Sequence, residues 1–331
     1  MTVRAAGRWM RLPAGEPGIA GMDEHRLRRM NAELPDRSIK DVLIVRKGEL
    51  LWRWHEQGSD RIAAVYSCTK SIVSALIGMA VDDRLLQLDT PISHFFEWLH
   101  DSKDSRKAAI TVRDLLTMTP GFDWPEFDKP YFKMRRTGDW IGFITSQPLV
   151  HRPGQIFAYN SGCSHLLSAI LTRVTGEPAQ LFAQRRLFSK LGFRSVRWAR
   201  HGGISEGGAG LHLTAEDLAK FGLLYLEQGV WQGERLLSQS WIEASTKVQS
   251  RGLPHYQPPI YGEYGYHWWV STAEHNDCCD LFFALGYGGQ YLFIVPELEL
   301  VVVIRKSVEG KSRAMLAKEL LFDHIIPATL G

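Results

Sequence analysis

Residues 67–81 read Ser-Cys-Thr-Lys-Ser-Ile-Val-Ser-Ala-Leu-Ile-Gly-Met-Ala-Val, and the spacing within them predicts a helix over Thr69–Val81 that is buried on most of its sides. Ile72, Val73, Leu76, Ile77 and Ala80 recur at helical intervals, while Ser71, Ala75 and Gly78 are small enough for the other faces to be packed as well. Ser67 and Lys70 occupy the first turn. Three residues is close to one helical turn, so a hydroxyl and an ammonium lie on one face within hydrogen-bond reach. A serine hydroxyl is a weak nucleophile until a base takes its proton, and a buried lysine suits that task because desolvation lowers its pKa. The backbone N–H groups left free at a helix start are placed to stabilise an oxyanion. The same tetrapeptide also occurs at ordinary capped helices.

Outward from this helix, Asp23–Asn31 reads as a charged helix, and Asp41–Val45 and Leu50–His55 read as a β-hairpin around Arg46-Lys47-Gly48-Glu49. The middle third, about Leu86 to Arg200, is rich in helix starts. Thr111 to Asp114 forms a capping box before Leu115-Leu116, and Ser161–Thr175 carries an apolar face before Gly176 stops it. The glycine-rich passage Gly202–Gly210 leads to a second capping box at Thr214–Asp217 and a helix over Leu218–Glu227. Tyr264–Val270, Leu281–Leu285, Gln290–Val295 and Leu298–Ile304 then read as antiparallel strands, followed by a last helix over Arg313–Ile325. Strands at both ends with helices between predict an α+β fold. One antiparallel sheet is expected from residues 1–85 and 201–331, with 86–200 inserted as a helical domain and the active site at their interface.

The 331 residues are long enough for two such units, and 45% hydrophobic with 23% charged residues is the composition of a globular chain. Charge excludes one class of partner. Thirty-nine basic against 36 acidic residues leave a net +3, an excess gathered in residues 1–40, too small and too local for a nucleic-acid binder. Cys68, Cys163, Cys278 and Cys279 form no C-x-x-C pair and read as reduced thiols. The lead-in from Met1 to Gly18 scatters Arg4, Arg8 and Arg11 among Gly and Pro, unlike a signal peptide, and no apolar run is long enough for a membrane helix. A cytoplasmic protein without a membrane partner is expected. Its oligomeric state is not legible.

Two further segments carry polar chemistry. Tyr159-Asn160-Ser161 stands just before the Ser161–Thr175 helix, where Tyr159 would serve as an acid or base if a nearby ammonium lowered its pKa, or the segment would simply cap the helix. Gly286-Tyr287-Gly288-Gly289-Gln290 opens a strand whose missing side chains would let a ligand lie against the backbone, or it forms a bulge or turn. Trp124, Phe127, Tyr131, Phe132 and Trp140 are candidates either for an apolar pocket or for packing. The histidines fall in no metal-binding spacing, and G-x-S-x-G and phosphate loops are missing, so neither metal nor cofactor is expected.

Taken together, Ser67–Lys70, Ile110–Gly121, Tyr159-Asn160-Ser161, Gly207–Ala219 and Tyr287-Gly288-Gly289 resemble, in order and spacing, the serine β-lactamase and penicillin-binding-protein superfamily. The resemblance lies in the branch of class C β-lactamases, family VIII esterases and 6-aminohexanoate-dimer hydrolases. It implies the β-lactamase/D,D-peptidase-like fold, with Ser67 as acylated nucleophile, Lys70 tuning the proton network and Tyr159 shuttling the proton. The backbone N–H groups of Ser67 and Gln290 would form the oxyanion hole, and Ser161, Asn160, Tyr287, Gly288, Gly289 and Trp124 would contact substrate. Two positions depart from the pattern. Ser161 stands where the Y-x-N motif has asparagine, and Tyr287 stands where a lysine or histidine would hold a carboxylate. Arg305 would restore that charge if it turned into the site. Both departures favour a carboxylesterase or amidase acting on a small ester or amide, with β-lactamase or D,D-peptidase activity as alternatives and a non-catalytic binding or scaffold protein as a third.

Overall fold

The computed structural model describes residues 11–126, 129–308 and 311–329; the first ten residues and Phe127 fall outside it. The expected hairpin forms from β1 (Ile39–Arg46) and β2 (Glu49–His55). Five strands from the C-terminal half continue the sheet: β3 (Glu263–Tyr264), β4 (Trp269–Ser271), β5 (Leu281–Gly286), β6 (Gln290–Val295) and β7 (Leu300–Lys306). Their order is β3-β4-β5-β6-β7-β1-β2, antiparallel throughout, with Ile44 opposite Val302 and Asp41 opposite Arg305 where the two chain ends meet. The terminal segments therefore build one sheet, as the strand pattern predicts.

The run read as a single strand over Tyr264–Val270 is two strands joined by a tight turn. Gly265 lies against the Ser245 carbonyl, which a Cβ would approach to 2.1 Å, and the Tyr266 N–H donates to that same carbonyl. A backbone donor engaged there is lost to the ladder, which outweighs the β propensity of Tyr266, Trp268 and Trp269.

Helices cover both faces. The principal ones are α1 (Glu24–Glu33), α2 (Thr69–Asp82), α3 (Val112–Leu116), α4 (Ser161–Thr175), α5 (Ala215–Leu226) and α6 (Met315–Leu320). Side chains alternate across a sheet, so Leu292 and Val301 share one face and Phe283 the other. Gly222 of α5 sits against Leu292 and Val301, while Lys318 of α6 lies over the Phe283 ring. Covered on both sides, β6 and β7 are buried at every residue, which explains why they read as unbroken apolar runs.

The local signals at helix starts divide instructively. Thr111 and Asp114 cap α3 reciprocally, as predicted. At α5 only half of the second box forms: Thr214 accepts from the Asp217 N–H, but the Asp217 carboxylate accepts instead from the Arg194 N–H and faces the fully buried Lys220 ammonium.

Arg305 is held away from the cleft at Ser67. On the α5 face its guanidinium donates to Asp41 at 2.7 Å, to Asp60 at 3.1 Å and to the Leu213 carbonyl at 2.9 Å. Asp60 in turn accepts from the Ala215 and Glu216 N–H groups at the start of α5, and Asp41 pairs with His55. All three charged side chains in the Arg305 cluster are more than nine-tenths buried. The cation fastens the hairpin, the loop holding Asp60 and the helix start to β7. Removing it would strand two carboxylates, a loss of about 3–5 kcal/mol for a broken buried ion pair. Arg305→Met is expected to lower unfolding free energy by that amount in urea titration at pH 7, and a loss under about 1 kcal/mol would show that water screens the cluster.

Candidate active site

Ser67 lies on the single turn Tyr66–Cys68 that leads into α2. Tyr66 immediately before it takes a left-handed φ of +46°, an arrangement that costs a non-glycine residue about 1–3 kcal/mol and needs support from its surroundings. Part of that support is visible: the Tyr66 ring packs edge-on against Tyr287, and β5 closes in from the side. At Gly286 a Cβ would stand 2.3 Å from the Val65 carbonyl, so only glycine lets the end of β5 reach the segment before the serine.

One turn on, the Lys70 side chain is completely enclosed. Its Nζ is 3.0 Å from Ser67 Oγ, 2.8 Å from Ser161 Oγ and 2.7 Å from the Gly208 carbonyl oxygen. The loop carrying that carbonyl lies tight against α4, because Gly207 leaves room for the Ser164 carbonyl where a Cβ would come within 2.0 Å. Burial pushes the Lys70 ammonium down to about 8, with Glu126 the chief opposing charge.

Tyr159 is also brought to this point. It lines the same cleft as Ser67, its ring stacks on Trp269 with centroids 5.5 Å apart, and Lys70 Nζ lies 4.9 Å from the ring centre. The lowered phenol expected beside an ammonium does not occur. Burial, with Tyr264 and Glu126 adding to it, holds Tyr159 well above the usual phenol range, so the group is a neutral donor and acceptor.

The remaining predicted residues separate into two sets. Tyr287 and Gly288 line the cleft above Ser67; Gly289 and Gln290 stand behind them, where the Gln290 amide fixes the turn by donating to the Lys306 carbonyl at 2.8 Å. Cys68 Sγ lies 3.4 Å from the Gln290 carbonyl, joining the start of β6 to the residue after Ser67. Asn160, Ser161 and Trp124 do not line the cleft. Asn160 caps α4, accepting from the Gly162 and Cys163 N–H groups. Ser161 and Trp124 converge on a carboxylate that motif reading missed, Glu126. Ser161 donates from its hydroxyl to Glu126 Oε1 and from its N–H to Oε2 at 2.8 Å; Trp124 Nε1 donates to Oε2 at 2.7 Å. The substrate contact expected of these three side chains is replaced by contacts within the protein.

The cleft is walled by Tyr159, Ile260, Tyr261, Trp269, Leu285 and Tyr287, and among the described residues that line it phenols are the only ionisable acids or bases. Of the aromatics that are candidates for a pocket or for packing, Trp140 stacks on His201 and Tyr131 packs on the exposed Phe132.

The arrangement has relatives. A 6-aminohexanoate-dimer hydrolase of Paenarthrobacter ureafaciens is 24% identical over 300 residues, covering 84% of this chain and 75% of that one. Among solved structures, EstCE1, a hydrolase with promiscuous acyltransferase activity, superposes with a TM-score of 0.75 at 18% identity, over 93% of this chain and 98% of that one. A class C β-lactamase from Rhodobacter sphaeroides superposes with a TM-score of 0.67 at 16% identity, over 92% and 99%. The predicted fold is therefore the observed one. Residues 41–321, from the strand that joins the two halves of the sheet to the last helix, match the family model described as Beta-lactamase, and the chain belongs to that family of serine hydrolases.

Proposed function

We propose that the protein hydrolyses esters or amides with neutral, apolar acyl groups through an acyl-enzyme on Ser67. The observation that carries this reading is the Ser67 hydroxyl bonded to the buried Lys70 amine, with the Tyr159 phenol beside both, at an aromatic cleft. Ser67 Oγ bonds to the substrate carbonyl carbon as its proton passes to the neutral Lys70 amine. The backbone N–H groups of Ser67 and Gln290 take the developing oxyanion. Tyr159, a neutral phenol beside Ser67, relays the proton to the departing oxygen or nitrogen, and the reverse path draws a proton from water when the acyl-enzyme is hydrolysed. The 6-aminohexanoate-dimer hydrolase and EstCE1 support the amide and ester readings alike.

That no cation lines the cleft among the described residues, with Arg305 engaged by Asp41 and Asp60, favours neutral substrates over carboxylate-bearing β-lactams. The proposed division into a sheet unit (1–85, 201–331) and a helical unit (86–200) puts Ser67 and Tyr287 on the first and Tyr159 on the second. Four free thiols support a reducing, cytoplasmic setting. No helix among the described residues is long and apolar enough to cross a membrane.

A fluorophosphonate is expected to add once, at Ser67, by intact mass and peptide mapping; an unlabelled protein would favour the scaffold reading. Ser67→Ala should abolish p-nitrophenyl butyrate hydrolysis, and Tyr159→Phe should slow it by about 10²–10⁴-fold. Because the Lys70 ammonium cannot accept a proton, kcat/KM should climb about tenfold per pH unit from acid pH and level off above an inflection near 8. A profile flat from pH 6 to 9 would assign the base elsewhere. Tyr287→His adds a close donor for an anionic group, and should raise the ratio of nitrocefin to p-nitrophenyl acetate turnover by about ten- to a hundredfold; a falling ratio would show that other groups hold the anion.

A further inference from the structure

The hydroxyl of Ser161 stands between Lys70 and a buried carboxylate, and its direction decides which way Lys70 faces. Glu126 receives three donors, the Ser161 hydroxyl, the Ser161 N–H and Trp124 Nε1; burial pushes its carboxyl up, and Lys70 and these three donors oppose that push. An ionised Glu126 only accepts, so in that form the Ser161 proton points to Glu126 and the Ser161 oxygen accepts from Lys70 Nζ. The Gly208 carbonyl also only accepts, which fixes the second N–H of the amine. The lone pair of the neutral amine is left for Ser67 Oγ at 3.0 Å.

We propose that Glu126 is a positioning residue for the base of acylation: by holding the Ser161 hydroxyl it turns the Lys70 lone pair toward Ser67. This inference rests on the Ser67 acyl-enzyme reading. Glu126 is also the main charge that opposes the downward push of burial on Lys70, so the same carboxylate acts on both direction and strength.

Few other groups facing the pair titrate near neutrality. Burial pushes Cys68 up to about 12 and raises Cys163, Tyr131, Tyr159, Tyr261 and Tyr264; His267, bonded to Ser164 and the Leu116 carbonyl, is pushed down to about 3. Glu206, the remaining acid acting on Lys70, is paired with Arg135 at 2.6 Å.

Glu126→Gln tests the proposal sharply. The Ser161 N–H and Trp124 Nε1 both donate to the Oε2 position, so the glutamine carbonyl takes that place and its NH₂ faces Ser161 Oγ. The Ser161 proton then turns to Lys70 and competes with Ser67 for the lone pair. For p-nitrophenyl butyrate, plateau kcat/KM should fall about 100-fold, and the inflection near pH 8 should move to below about 7 because the carboxylate charge is gone. Ser161→Ala removes the competing hydroxyl. The double variant Ser161→Ala/Glu126→Gln should therefore be about tenfold faster than Glu126→Gln alone, a non-additivity that general loosening of the site would not produce.

If Glu126→Gln does not fold, the profile of Ser161→Ala decides: its inflection should also fall, since the ammonium loses an acceptor. Unmoved inflections, or losses that simply add in the double variant, would overturn the inference while fluorophosphonate labelling of wild-type Ser67 left the acyl-enzyme reading intact. A wild-type protein that fails to label would overturn both.

Discussion

A lysine amine sealed from water is the constraint on which this site depends. An ammonium without acceptors is too costly to bury, so each N–H of Lys70 needs an oxygen delivered from some other part of the chain. The helix that carries it supplies Ser67, α4 supplies Ser161, and the glycine loop before α5 supplies the Gly208 carbonyl. Three stretches of backbone are fixed in place by the needs of one nitrogen. The close approaches at Gly207 and Gly286 are what allow those stretches to come near enough.

Much of this was legible because its signals are local. The apolar spacing of 69–81, the Thr111–Asp114 box and the hairpin about Lys47-Gly48 each state their structure within a few residues, and each appears as stated. Failures occur where distant partners win. Asp217 leaves its cap for Lys220 and Arg194, and Gly265 leaves its strand for Ser245. Glu126 had no spacing to announce it: a single acid after Trp-Pro acquires meaning only through Ser161, 35 residues later. The cleft wall likewise comes from 260–269, while the more conspicuous aromatics at 131–140 pack outside it.

Among the described residues, the buried charges lie away from the cleft lining. Arg305 and the acids around it lie on the α5 face of the sheet, and the Lys70–Glu126 pair lies beneath the floor, covered by Ser161 and Tyr159. The described lining consists of rings, aliphatic side chains, the Ser67 hydroxyl and backbone. Discrimination in such a space rests on shape and on the cost of burying an unpaired charge, which rejects ions more firmly than it chooses among neutral acyl groups.

The pairing of β1 with β7 also sets an order of events during synthesis. Asp41 and Arg305 are neighbours in space but 264 residues apart in sequence, so β1, already paired with β2, waits for its second partner until nearly all of the described chain has been made. At about 5–20 residues per second that delay is roughly 13–50 s. Throughout it Ser67 and Lys70 already exist on one short stretch, yet the strand end that shapes the cleft beside them has not emerged. The nascent polypeptide thus carries Ser67 and Lys70 apart from the rest of the cleft, which is completed only as the sheet closes.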